Sequence, residues 1–131
     1  MAGSSVYDTR FFFEYFYTRD KTVAQALRSN LRSTGDKLVS AITIHELHRI
    51  NLRKLDHVAA ELRCVLVAKE FRVVAVDYEL ALLGAELSHK YGVPLADGVI
   101  AATALREGCP LVSDDTHFGN IKGLRLIWPM S

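Results

Sequence analysis

Asp8, Glu46, Asp97, Asp114 and Asp115 are the residues of this sequence that point to chemistry, because each follows a short apolar run or opens a helical one. Gathered at one edge of a fold, such acids repel. Two like charges about 5 Å apart cost roughly 3 kcal/mol at an effective dielectric near 20. The group then either takes up protons or recruits a cation. An all-oxygen ligand set suits a hard ion, Mg2+ or Mn2+, which keeps several of its waters. An ion held there activates water and steadies charge on a phosphoryl group. Taken singly, each acid has an ordinary reading. Asp8 and Asp97 can cap helices, Glu46 can lie on a solvated turn, and Asp115 can serve a turn before Phe118. Capping does not explain why all four reach one edge.

The histidines offer weaker chemistry. His45, Glu46 and His48 look like a zinc-protease motif, but that motif needs two histidines four apart on one helical face, and these are three apart. They read instead as flanking Glu46 on a helix rim, solvated or touching a polyanion. His57 and His89 read as surface residues. His117 lies close to Asp115 in sequence and reads as an exposed loop residue within reach of a phosphate. No G-x-S-x-G elbow and no phosphate-binding G-x-x-x-x-G-K-[ST] loop occurs. A phosphoacceptor receiver domain is a structural rival with clustered acids. It wants adjacent acids after the first strand, where Asp8 stands alone.

The elements that must position these acids alternate. Strands are expected at Val6 to Asp8, Lys37 to Ser40, Arg72 to Val76, Leu111 to Ser113 and Leu124 to Trp128. Phe11 to Arg32 reads as two helical stretches broken near Thr18 to Lys21. Further helices are expected over Thr43 to Leu55, Val58 to Lys69, Tyr78 to Tyr91 and Leu95 to Arg106. Asp56 and Asp77 stand as N-cap candidates, and Gly92 and Gly108 as C-cap signals. Alternating strands and helices imply an α/β fold, with helices on both faces of a parallel sheet whose strands are apolar on both sides. In such folds the site lies beyond the carboxyl ends of the strands, where strand order reverses.

At 131 residues the chain is expected to be one domain, 1–131, with a core that needs no staples. Sixteen Lys plus Arg against fifteen Asp plus Glu give +1. That excludes a basic nucleic-acid coat, so a polyanion must be held by a local patch or a metal. Cys64 and Cys109 are too few and too far apart for a disulfide framework or zinc knuckle. They read as buried small hydrophobes in a reducing, cytoplasmic protein. The greasy segment Phe11 to Tyr17 is far too short to span a bilayer.

The segments YDTRFFFEYF, SAITIHEL and LADGVIAATALREGCPLVSDDTHF resemble a PIN-domain nuclease, and within that superfamily the small prokaryotic toxins of the VapC type. The resemblance runs from Val6 to Ile127, and the last segment is the most specific. It implies a three-layer α/β/α sandwich around a parallel sheet ordered 3-2-1-4-5. It also implies Mg2+- or Mn2+-dependent endonucleolytic cleavage of RNA. Carried over, the four catalytic and metal-holding acids match Asp8, Glu46, Asp97 and Asp115. Thr9 and Ser113 match hydroxyl residues that orient ligands or water, with Asp114 an extra carboxylate beside them. Toxins of this type usually dimerise and pair with an antitoxin whose tail blocks the site. Two departures stand out. Arg10 replaces a small polar residue and is left either to contact RNA or to pair with an acid. Gly98 replaces the alanine common after the third acid.

Arg49, Arg53 and Lys54, with Arg63 and Lys69 beyond, form either a solvated face or a track for the RNA backbone. The rings from Phe11 to Tyr17 are expected to be core, a dimer surface or an antitoxin groove. The rival to a nuclease is a catalytically silent PIN-like module that uses the acidic edge to hold a partner's Arg or Lys tail.

Overall fold

The computed structural model describes residues 3–130. Five parallel strands, β1 (Ser4–Tyr7), β2 (Asp36–Ser40), β3 (Arg72–Val74), β4 (Leu111–Val112) and β5 (Leu126–Ile127), form one sheet in the order β3-β2-β1-β4-β5. This is the expected 3-2-1-4-5 order. The helices are α1 (Thr9–Tyr17), α2 (Lys21–Ser33), α3 (Ala41–Lys54), α4 (His57–Glu70), α5 (Tyr78–Tyr91) and α6 (Leu95–Glu107), and a 3-10 turn spans Thr116–Phe118. None of these helices is long and apolar enough to cross a membrane.

Strand alternation builds the three layers. Val6, Leu38 and Leu111 point to one face, where they meet Leu80, Leu87 and Ile100 of α5 and α6. Their neighbours Tyr7, Val39 and Val112 point to the other, where they meet Phe11, Phe12, Leu27, Leu47 and Val67 of α1 to α4. Successive strand side chains take opposite faces, so continuous apolar strands are what a doubly covered sheet demands. The second core is largely aromatic. Tyr7 meets Phe11 edge-on at 4.6 Å and Phe71 at 5.3 Å, and Phe12 meets Phe71 at 5.0 Å. Each such pair adds about 0.5–1.5 kcal/mol beyond its burial. This cluster pins the start of α1, and hence Asp8, to the end of β1.

The boundaries follow local chemistry. Asp20, Asp56 and Asp77 each accept a backbone N–H in the first turn of the helix they precede. Gly92 and Gly108 close α5 and α6 with φ of 68° and 65°, a left-handed conformation that favours glycine. Helix α3 begins two residues earlier than its apolar spacing suggests, because the Ser40 hydroxyl accepts the Ile42 N–H at 3.2 Å. Strand β3 stops at Val74 rather than Val76, since its one neighbour, β2, ends at Ser40. Strand β5 is likewise shorter than expected. Cys64 and Cys109 are free thiols, half-buried rather than buried.

Helix α6 is buried over the whole run Gly98–Ala104. Small residues let it lie close to α5. A Cβ on Gly98 would stand 2.5 Å from the Gly84 carbonyl oxygen and would also overlap the Ser88 hydroxyl.

Candidate functional site

The chain runs from β1 outward to β2 and β3, then crosses back to β4 on the other side of β1. The reversal point is the gap between β1 and β4, and the acids meet at its carboxyl edge. Tyr7 pairs with Val112, so the next residues, Asp8 and Ser113, stand side by side. The Ser113 hydroxyl accepts the Asp115 N–H at 3.0 Å and donates its proton to Asp8 Oδ2 at 2.6 Å. Asp8 occupies the N-cap position of α1 but makes no side-chain cap bond. The capping explanation therefore does not account for its carboxylate, and the residue as a whole is 3% exposed.

The other acids arrive from separate elements. Glu46 lies one turn into α3, where its Oε1 accepts the Thr9 hydroxyl proton at 2.6 Å. Asp97 sits in the first turn of α6. Asp115 follows β4, and its Oδ1 accepts the His117 N–H at 2.9 Å. The His117 ring then reaches across the gap, with Nδ1 3.4 Å from Asp115 Oδ1 and 3.5 Å from Asp97 Oδ2. A cleft of about 270 Å³ is lined by Asp8, Thr9, Arg10, Phe13, Glu46, Ile50, Asp97 and Asp115.

The electrostatics record this crowding. Burial pushes the Asp8 carboxyl up to about 6, and the charges of Asp97 and Glu46 push the same way against the Ser113 hydrogen bond. Asp97 is also raised, by burial first and then by Asp115 and Glu46, with His117 opposing. Among the described residues no Lys or Arg forms an ion pair with Asp8, Glu46, Asp97 or Asp115. Arg10 spends its guanidinium on Asp114 instead, Nε to Oδ1 at 2.9 Å and a second nitrogen to Oδ2 at 3.1 Å. Arg10 is thus paired with an acid, and Asp114 faces it rather than the cleft, while Arg10 itself remains in the cleft lining. Both partners are partly exposed, so Arg10→Ala is expected to change folding stability by less than about 1 kcal/mol. Urea unfolding of the variant measures this; a larger loss would mean that the pair holds the loop after β4.

Several sequence readings need correction. His48 does not share a rim with His45. It turns toward α4, its Nδ1 3.4 Å from Cys64 Sγ. Arg63 does not continue a basic track, because its guanidinium stacks on Phe16 at 4.6 Å and Tyr17 at 5.0 Å. Lys54 lies over the Tyr17 ring at 5.1 Å. Arg49 and Arg53 do reach the rim. With His45, Thr9, Glu46 and Pro94 they line a depression that shares Thr9, Glu46 and Ile50 with the acidic cleft. Phe13 and Ile50 were missed as cleft walls. Each sits four residues after a polar cleft residue on the same helix, Thr9 and Glu46, and that spacing was the available signal.

The family profile described as PIN domain matches residues 5–124. The chain belongs to the PIN-domain family. Among curated proteins nothing matches it. Solved structures share this PIN fold at low identity. A toxin–antitoxin complex from Klebsiella pneumoniae is 21% identical with a TM-score of 0.76, covering 95% of this chain and 97% of that one. FitAcB from Neisseria gonorrhoeae is 22% identical with a TM-score of 0.76, covering 96% and 98%. VapC20 from Mycobacterium tuberculosis, described as a Sarcin-Ricin loop cleaving toxin, is 16% identical with a TM-score of 0.73, covering 92% and 98%.

Proposed function

We propose that this PIN-domain protein is a Mg2+- or Mn2+-dependent endoribonuclease and the toxin of a toxin–antitoxin pair. One observation carries the reading: four carboxylates from four separate elements share a cleft, and among the described residues none of them forms an ion pair with a Lys or Arg. The donor set fits a hard divalent ion. Asp8, Glu46, Asp97 and Asp115 would hold it, and Asp97, Asp115 and His117 already present ligand atoms within 4.8 Å of one another. When bound, such an ion supplies positive charge to a phosphodiester and acidity to water.

The chain's own residues do the rest. Ser113 fixes the Asp8 carboxylate, and Thr9 fixes Glu46, so both acids are aimed before any ligand arrives. Asp114 withholds Arg10 from the acids while leaving it on the cleft wall, where it can meet a phosphate. Arg49, Arg53 and His45 extend that polar rim for the RNA backbone. Phe13 adds an aromatic wall to the cleft beside them. The antitoxin and a second copy of the chain have two exposed apolar surfaces to choose from. One carries Val58, Leu62 and Leu66 on α4, and the other carries Tyr78, Leu82 and Leu95 on α5 and α6. An RNA substrate implies a cytoplasmic protein.

The test is cleavage of RNA by the purified chain with and without Mn2+. Expected are cleavage that EDTA abolishes and a melting temperature that rises in millimolar Mn2+. Absence of both effects favours the silent module that grips a basic tail. Undiminished cleavage in EDTA refutes metal dependence.

A further inference from the structure

Not every atom that faces the acids is an oxygen. The His117 ring sets Nδ1 3.4 Å from Asp115 Oδ1 and 3.5 Å from Asp97 Oδ2. Asp97, Asp115 and His117 thus offer one ligand atom each within 4.8 Å of one another. The ring is mostly exposed, yet its backbone is held from both sides. Asp115 caps the turn Thr116–Phe118 and accepts the His117 N–H at 2.9 Å. The next residue, Phe118, is 1% exposed and belongs to the same core as Ile100 and Leu111. Two carboxylates around Nδ1 repel a phosphate. That nitrogen is therefore placed for a cation the acids share, not for the RNA backbone.

We infer that His117 is a nitrogen ligand of the ion proposed above and that it biases the site toward Mn2+ and later first-row ions over Mg2+; the inference rests on the metal-dependent reading. An ion with ligand bonds of about 2.0–2.2 Å sets neighbouring ligand atoms about 2.8–3.6 Å apart, whether six- or four-coordinate. Both His117 separations fall inside that range. Mg2+ prefers oxygen and gives up water reluctantly, so imidazole adds little to its binding. Imidazole adds more along the series Mn2+, Co2+, Ni2+. The four acids attract any divalent ion, and the histidine chooses among them. The opposite role makes His117 a built-in counter-ion that a metal must displace. Removing it would then strengthen the binding of every divalent ion.

The test is calorimetric titration of the tag-free chain with Mg2+, Mn2+, Co2+ and Ni2+ in turn. His117→Ala should weaken Mn2+ binding at least about tenfold, on the scale of lost metal-site partners. Losses for Co2+ and Ni2+ should be larger, and the Mg2+ affinity should move by less than about twofold. His45→Ala, on the neighbouring rim, should change none of the four. Pulsed EPR of the unmutated protein with Mn2+ should detect nitrogen coupling to the ion, a readout that does not depend on how the variant folds. Equal losses for all four ions, tighter binding of all four, or Mn2+ bound without nitrogen coupling each overturns the inference. In those cases metal dependence itself still stands. Failure of all four ions to bind sinks both.

Discussion

Asp8→Asn is expected to abolish RNA cleavage while making the metal-free protein more stable at neutral pH. The two effects have one cause. Asp8 is nearly inaccessible, lies near Asp97 and Glu46, and has a carboxyl raised from 3.8 to about 6. A raised acid binds more protons folded than unfolded, so between about pH 4 and pH 6 stability falls as pH rises, and above that range the loss stays constant. The whole shift corresponds to about 3 kcal/mol. Asparagine removes the charge, keeps the shape and can still accept the Ser113 hydroxyl proton. In EDTA at pH 7.5 the variant should melt several degrees above the unmutated chain, with the gap closing near pH 4. Its cleavage rate should fall on the order of 10³-fold, the scale of losing a preorganised electrostatic group, and Mn2+ should no longer raise its melting temperature as it does for the parent. Retained cleavage, or a melting temperature below the parent at every pH, would remove Asp8 from the proposed centre.

Gly98→Ala should be the more destabilising change, although alanine is the better helix former by about 1 kcal/mol. The new methyl would sit 2.5 Å from the Gly84 carbonyl oxygen, a backbone atom that moves only if α5 moves. Overpacking of this kind costs typically about 1–3 kcal/mol and occasionally more. A net loss of roughly 2 kcal/mol is expected in urea unfolding. Because Asp97 is the preceding residue, the shift of α6 should also lower cleavage by about tenfold, the scale of a small misplacement of a reacting group. Adding Ser88→Ala should not restore stability, since it clears the hydroxyl and leaves the carbonyl. A neutral Gly98→Ala would mean that the two helices separate freely. The same geometry accounts for a glycine at this position: here the helices touch.

The strand–helix alternation was legible because apolar runs, aspartate caps and glycine stops all pointed to the same boundaries, as at Asp56, Asp77, Gly92 and Gly108, whereas the sheet order followed only from the resemblance to PIN domains. The gathering of the four acids was legible for a related reason. Each follows a strand or lies in the first two turns of the helix after one, and parallel sheets collect such positions at one edge. What escaped was contact between elements. No periodicity in α3 says that His48 turns to Cys64 while Glu46 turns to Thr9, because that depends on how far α4 has rotated. Arg63 was indistinguishable from a solvated cation until the rings of Phe16 and Tyr17 were seen beneath it. Arg10 was left either to contact RNA or to pair with an acid, and the ion pair with Asp114 depends on the turn after β4.

The hydrogen bond from Ser113 to Asp8 joins positions 105 residues apart, and β4, which carries Ser113, is the inner neighbour of the first strand made. During synthesis at about 5–20 residues per second, the leading segment leaves the ribosome well before the segment that must lie against it. Until that late strand emerges, Asp8 stands in water as an ordinary ionised acid with no opposite wall. A growing chain tethered to its own message therefore carries the cleft without Ser113 and Asp115, and the complete pocket first exists once those two residues are free of the exit tunnel.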